Sequence, residues 1–207
     1  MNLVKFWLGL LLWGPLLGWG QGKVRGVPVV VSVFNEATAI PFTRLLTVPV
    51  HPGMQVGTDW DYKAGTHGRL FQTANLSYYY HAQLNQGIGA HSELGYEYRW
   101  RFGLVTGALL GLGYMHTLAT TKEYAFQDGQ YVERNDGGNS RLYPSLSLDV
   151  GYCLRRADVL SPKVFLRYQA WAEFPYSPGF IPVMTHVNLH LGMRFFLVKS
   201  RKQNEKN

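Results

Sequence analysis

Cysteine is almost missing: Cys153 is the only one in 207 residues, so no internal disulfide can form and stability must come from elsewhere. Long apolar runs are missing too. After the first twenty residues no stretch could cross a bilayer as a helix. There is no internal repeat and no low-complexity segment, and the length fits one domain. No phosphate-binding loop is present, because Gly111-Leu112-Gly113 lies inside a strand pattern and precedes no helix. Acidic residues are the scarcer charge, 13 against 20 basic ones, for a net +7. A basic balance can signal nucleic acid. Here the basic residues form no stripe: Lys5 belongs to a leader, and Lys199, Arg201, Lys202 and Lys206 belong to a solvated tail. No nucleic-acid partner is expected.

What is present begins with a secretory leader. Lys5 is followed by an apolar run over residues 6–19, and small Gly18 and Gly20 precede Gln21. The run contains Gly14 and Pro15 and is short for a membrane helix. No cysteine follows, so lipoprotein processing is not indicated. Residues 1–20 are therefore expected to be a signal peptide, 21–198 a barrel domain, and 199–207 a basic polar tail.

The dominant pattern is period-two alternation. In residues 54–63, Met54, Val56, Thr58, Trp60 and Tyr62 oppose Gln55, Gly57, Asp59, Asp61 and Lys63. In residues 70–82, Ala74, Leu76, Tyr78 and Tyr80 oppose Thr73, Asn75, Ser77, Tyr79 and His81. The same holds for residues 88–100, 102–116, 141–154, 163–174 and 187–195. Seven strands are clear, most with the ~9–11 residues a tilted strand needs to cross a bilayer. An eighth must precede Met54, and residues 27–34 and 43–50 compete for it. Pro28 and Pro49 weaken both. If both pair, the barrel has ten strands.

Connections alternate between short ones, at residues 100–103 and 155–162, and long ones, at 117–139 and 175–183. Outer-membrane barrels alternate short periplasmic turns with longer external loops in this way. The aromatic residues on the apolar face fall at strand ends. Trp60, Tyr62, Tyr96, Tyr98, Trp100, Tyr152 and Phe195 mark one end; Tyr78, Tyr80, Tyr114 and Phe174 mark the other. Two such girdles suit the two interfaces of a membrane. The opposite face carries six acids (Asp59, Asp61, Glu93, Glu97, Asp149, Glu173) and six bases (Lys63, Arg99, Arg141, Lys163, Arg167, Arg194). In a barrel of about eight strands these would pair across a filled lumen. The expected fold is all-β, an antiparallel up-and-down transmembrane barrel of about eight strands in the cell outer membrane.

Phe195-Phe196 closes the last alternating strand, much as the terminal aromatic of outer-membrane barrels does. Residues 54–196 resemble the small outer-membrane β-barrel superfamily of OmpA, OmpX and OmpW type. The phrases SVFNEATAIPF, HPGMQVGTDWDY and FLRYQAWAEFPY are similar to those of barrels from Bacteroidetes-type bacteria. The resemblance implies a fold and a location, with outer-membrane lipids and the barrel-assembly machinery as partners. It brings no established activity.

Candidate chemistry is sparse. His91, Ser92 and Glu93 hold the residue types of a lipid A esterase, but neighbours on a strand face opposite ways, so Ser92 is separated from the other two. His186 and His190 share the inner face, about 13 Å apart at a ~3.3 Å rise, too far to hold one metal ion without His81, His91 or an acid. Asp59 with Asp61, and Glu93 with Glu97, read as lumen charges. No catalytic, cofactor-binding or metal residue is assigned, and no cofactor is expected. The reading is a non-enzymatic envelope or surface-binding barrel that meets an extracellular ligand through loops 117–139 and 175–183. The alternatives are an outer-leaflet lipid-modifying enzyme of lipid A deacylase type, and a narrow transporter of small apolar solutes. Leu110→Arg, on the apolar face, should damage folding more than Gly111→Ala, which points into the lumen.

Overall fold

A computed structural model describes residues 26–43, 48–121, 123–127, 129–134, 137–155, 161–177 and 180–198. The expected signal peptide and basic tail lie outside the described residues. Ten strands follow one another: β1 (Gly26–Thr38), β2 (His51–Ala64), β3 (Gly68–Tyr80), β4 (Asn85–Arg99), β5 (Leu104–Ala119), β6 (Glu123–Gln127), β7 (Gln130–Arg134), β8 (Asn139–Cys153), β9 (Lys163–Glu173) and β10 (Met184–Val198). Eight of them close a barrel in the order β1-β10-β9-β8-β5-β4-β3-β2, every neighbouring pair antiparallel. The remaining two, β6 and β7, form a separate hairpin inside the segment between β5 and β8.

The first strand is therefore the one containing residues 27–34, extended to Thr38. Pro28 is tolerated because it sits beyond the β1–β2 ladder, which starts at Val30↔Gly57, while the β1–β10 ladder runs the whole strand. No strand is assigned to the described part of residues 43–50, and the barrel has eight strands rather than ten. Pro144, inside β8, falls where the β8–β9 ladder stops at Ser145↔Trp171 and returns only as the bridge Leu142↔Phe174.

At one end (the turn end) β2–β3 and β4–β5 are joined by short turns and β8–β9 by residues 154–162; at the other (the loop end) lie the longer connections after β1, β5 and β9 together with the short one at residues 81–84. In the turn at residues 100–103, Gly103 takes a φ of 98°, a value that suits glycine, and donates its N–H to the Trp100 carbonyl at 3.0 Å. The first residue of β1, Gly26, pairs with the last of β10, Val198, at the turn end.

The outer face is apolar. Val33, Val56, Leu76, Leu94, Leu110, Leu146, Leu166 and Leu191 are all exposed around the wall. Tyr62, Tyr96, Tyr98, Trp100 and Tyr152 are exposed at the turn end, and Tyr80 and Phe174 at the loop end. The two aromatic bands thus lie outside, as the alternation predicts. At the loop end the chain after β1 folds back over part of the wall. Phe42 stacks on Tyr168 with ring centroids 5.3 Å apart, and the Phe42 N–H donates to the Tyr168 hydroxyl at 2.8 Å. Tyr168, Ala170 and Val187 are buried there, although they face outward.

Gly111 faces a crowded part of the lumen. A Cβ there would lie 2.4 Å from Ser145 Oγ and 2.6 Å from Glu93 Cγ. The lumen is too full at this level for Gly111→Ala to be benign. Leu110, 69% exposed, sits near the middle of β5 in the outward row Leu94–Leu110–Leu146. Leu110→Arg should cost about 2–4 kcal/mol of folding stability in lipid vesicles, the range for a basic residue at a bilayer midplane. Urea titration of folded protein in vesicles measures it, and wild-type stability would contradict the face assignment.

Candidate functional site

The inner face of the barrel is packed with polar side chains, which sort into layers. Nearest the turn end, Asp59 accepts two hydrogen bonds from Arg194, 2.6 Å from Nε and 2.8 Å from Nη2, and a third from Arg69. Arg69 also donates to Asp61 at 2.5 Å and lies 3.5 Å from Glu97, which Lys163 Nζ meets at 2.6 Å.

The next layer centres on Arg167. Its Nε and Nη2 form a two-pronged pair with Asp149 at 2.7 and 2.9 Å, and its Nη1 donates to Glu93 at 2.9 Å. Glu93 is fully buried and also accepts from Ser147 at 2.7 Å, Ser145 at 3.2 Å and Gln169 at 3.2 Å. Such a dense set of donors lets a carboxylate remain charged without water. The void beside this layer, lined by Asp59, Arg69, Asn75 and Asp149, measures about 10 Å³, near the lower limit for one water molecule.

Toward the loop end follows an aromatic septum: Phe34, Tyr79, Met115, Tyr143 and Trp171, all buried. Tyr143 meets Trp171 edge to face at 4.7 Å. Above it lies a fourth layer at the mouth. His186 Nδ1 is 2.8 Å from Glu36 Oε1, and its ring stacks on Trp171 at 4.1 Å. Glu173, fully buried, lies 3.7 Å from His186 Nε2 and 3.7 Å from Arg141 Nε. His51 and His81 stack over Glu36 with centroids 3.5 Å apart. Burial holds the His81 pKa below the usual imidazole value, and the neighbouring His51 pushes the same way.

Sequence reasoning placed most of these groups and misplaced some. Glu93, Arg167 and Asp149 come together as expected. Lys63 does not enter the lumen: the register shifts between Asp61 and Lys63, so Lys63 pairs with outward-facing Leu70 and is itself exposed. Arg69 takes the lumen position that alternation gave to Lys63. Glu36 was missed because the first strand was undecided, and His51 because the second strand was read from Met54. Among the described residues, Glu36 brings the lumen acids to seven, and Arg69 replaces Lys63 among the bases. The six-to-six balance does not hold, and the surplus of acid lies partly at the mouth, where Glu36 and Glu173 face Arg141 and imidazoles.

His91 and Glu93 point inward and Ser92 outward, as expected for one strand. Ser92 Oγ is held by Gln72 Nε2 and the Thr73 carbonyl, each at 2.7 Å. No histidine accompanies these contacts. His190 is separate from His186 and bonds Ser32 at 3.1 Å and Gln169 at 3.3 Å.

No protein-family model matches the chain, and no curated protein matches it. Solved structures do. Neisserial surface protein A superposes with a TM-score of 0.51 at 8% identity, covering 83% of this chain and 96% of that one. The chain has the fold of the small outer-membrane β-barrels. The outer membrane enzyme PagL is similar at a TM-score of 0.48 and 12% identity, over 82% of this chain and 99% of its own. Ail, the attachment invasion locus protein of Yersinia pestis, is similar at 0.46 and 11%, over 84% and 100%. At these identities the likeness concerns architecture alone.

Arg167 is the group on which the central layer depends. Arg167→Ala leaves Glu93 and Asp149 buried without their cation, and should lower unfolding stability by about 3–5 kcal/mol. Denaturant unfolding of the detergent-folded barrel, followed by tryptophan fluorescence, provides the check. A change below about 1 kcal/mol, the scale of an exposed ion pair, would mean the layer is solvated.

Proposed function

We propose that this protein is an integral outer-membrane barrel that serves as a non-enzymatic platform, with its loop end outside the cell and its turn end in the periplasm. The carrying observation is the filled lumen. The Arg167 layer and the aromatic septum lie in series across the barrel, so it supports presentation rather than passage. The apolar wall with its aromatic bands supports residence in lipid, and the leader read in residues 1–20 supports export.

The loop end supports surface binding. Ile40, Phe42, Val48, Tyr131 and Phe180 are strongly exposed there, beyond or beside the strands. The β6–β7 hairpin extends from the barrel between β5 and β8. Exposed apolar groups gathered at one end are the usual mark of a contact surface. An extracellular or envelope partner would meet the segments at residues 117–139 and 175–183, joined by the loop after β1.

A lipid-modifying role would require a hydroxyl beside an imidazole near the outer leaflet. Ser92 Oγ is instead tied to Gln72 and backbone. Mass spectra of lipid A from cells with and without the gene should be identical. Loss of an acyl chain that depends on the gene would overturn the non-enzymatic reading.

Two further measurements test the platform. The protein should fractionate with outer membranes and migrate differently on gels before and after boiling, because a closed ladder resists detergent. Planar bilayers containing wild type or Arg167→Ala should show no conductance of porin size, since the septum remains in both. Steady porin-like steps in wild type would contradict the plugged lumen.

A further inference from the structure

We propose that Glu36, His51 and His81 form a binding site for a zinc-class divalent transition-metal ion at the loop-end mouth of the barrel. The inference is independent of what the loops bind.

The three residues come from neighbouring parts of the wall. Glu36 lies on the inward row of β1 one place before its last member, Thr38; His51 opens β2 as the register partner of Glu36, and His81 follows β3 directly. One potential ligand atom from each lies within 4.8 Å of the other two. Around a zinc ion with bonds of ~2.0–2.1 Å, such atoms sit roughly 3.3 Å apart, so the set must close by a rotamer adjustment. Two imidazoles and a carboxylate are donors of the softness that zinc, copper and nickel prefer over calcium or magnesium.

Two observations beyond proximity point to a cation. Glu36 is 1% exposed, yet its Oε2 has no hydrogen-bond partner, and it lies 3.8 Å from His51 Nδ1. A buried carboxylate oxygen left without a partner is costly. The other oxygen, Oε1, is fixed by His186 at 2.8 Å, which aims the free one at the pair of histidines. Second, the layer is short of positive charge: Glu36 and Glu173 are both buried there, and Arg141 is the cation paired with Glu173.

The backbone around the ligands is held. His81 N–H donates to the Asn85 carbonyl at 2.9 Å, and Thr120 Oγ1 donates to the His81 carbonyl at 3.0 Å. His51 N–H donates to Asn35 Oδ1 at 2.8 Å. The imidazoles are only partly buried; His51 Nδ1 lies 3.1 Å from the Glu36 carbonyl oxygen and His81 Nδ1 accepts from the Gln83 N–H at 3.4 Å, contacts that leave each Nε2 available to an ion. Three protein ligands leave a fourth position open to an external group. His186 is a positioning residue, orienting Glu36 without touching the ion.

The test is isothermal titration of zinc chloride into the untagged, chelator-stripped protein folded in detergent, with folding checked by the gel shift on boiling. Wild type should bind one ion saturably. His51→Ala/His81→Ala should weaken binding by more than ~100-fold, and His186→Gln by about 10-fold, the range for a partner that only orients a ligand. His67→Ala/His116→Ala, which removes histidines elsewhere, should bind as wild type does. Absence of saturable binding, binding unchanged in the His51/His81 variant, or binding lost in the His67/His116 variant would each overturn the site. If the first double variant fails to fold, imidazole NMR signals of wild type decide. Zinc should shift those of His51 and His81, and shifts confined to other histidines would refute the assignment.

Discussion

Closure of the sheet is the constraint from which the rest follows. In an apolar medium a strand edge leaves a row of unpaired N–H and C=O groups, each worth several kcal/mol. The first strand removes both edges at once, pairing with β10 along its whole length and with β2 from Val30 to Glu36. Once eight strands close, the lumen has a fixed small width. Every inward side chain must then be satisfied by another inward side chain. The glycines at positions 95, 111 and 113 are part of that solution, because Phe71, Glu93 and His91 occupy the space their Cβ atoms would take.

The inside is accordingly built in alternating layers rather than as a uniform polar filling. Ion pairs at the turn end and around Arg167 satisfy their charges internally, and the septum of Phe34, Tyr79, Tyr143 and Trp171 separates them from the mouth. Buried ion pairs contribute little net stability compared with apolar packing, because desolvation offsets their attraction. At the mouth, Glu36 Oε2, Glu173 Oε2, His186 Nε2 and Arg141 Nε are buried without hydrogen bonds; in the other layers Gln55, Trp60 Nε1, Arg69 Nη1 and His91 Nδ1 are buried in the same way.

Much of this was legible in the sequence. Strict alternation gives the faces of seven strands, and it gives the aromatic bands, because a membrane interface sorts tyrosine and tryptophan by position along a strand. What alternation cannot show is a break in its own phase. The register shift between Asp61 and Lys63 turns Lys63 outward, and nothing in the local residues marks it. Nor does alternation say how full a lumen is: only the structure shows that Glu93 and Ser145 crowd Gly111. The Ser92 reading needed only the direction of neighbouring side chains, and it held. The mouth cluster needed three strand ends brought together, one of them on a strand with two rival positions, and so it stayed hidden.

The central claim is that the apolar wall faces lipid along the whole span of the barrel. Spin labels placed singly at Leu142, Leu146 and Val150, the outward row of β8, test it most directly in a Cys153→Ser background, with the protein folded into vesicles. The account predicts that collisions with oxygen peak at Leu146 and fall toward both ends, while collisions with a water-soluble nickel complex show the reverse profile. High access of the nickel complex at all three positions would mean that this face meets water, and the membrane barrel account would fail.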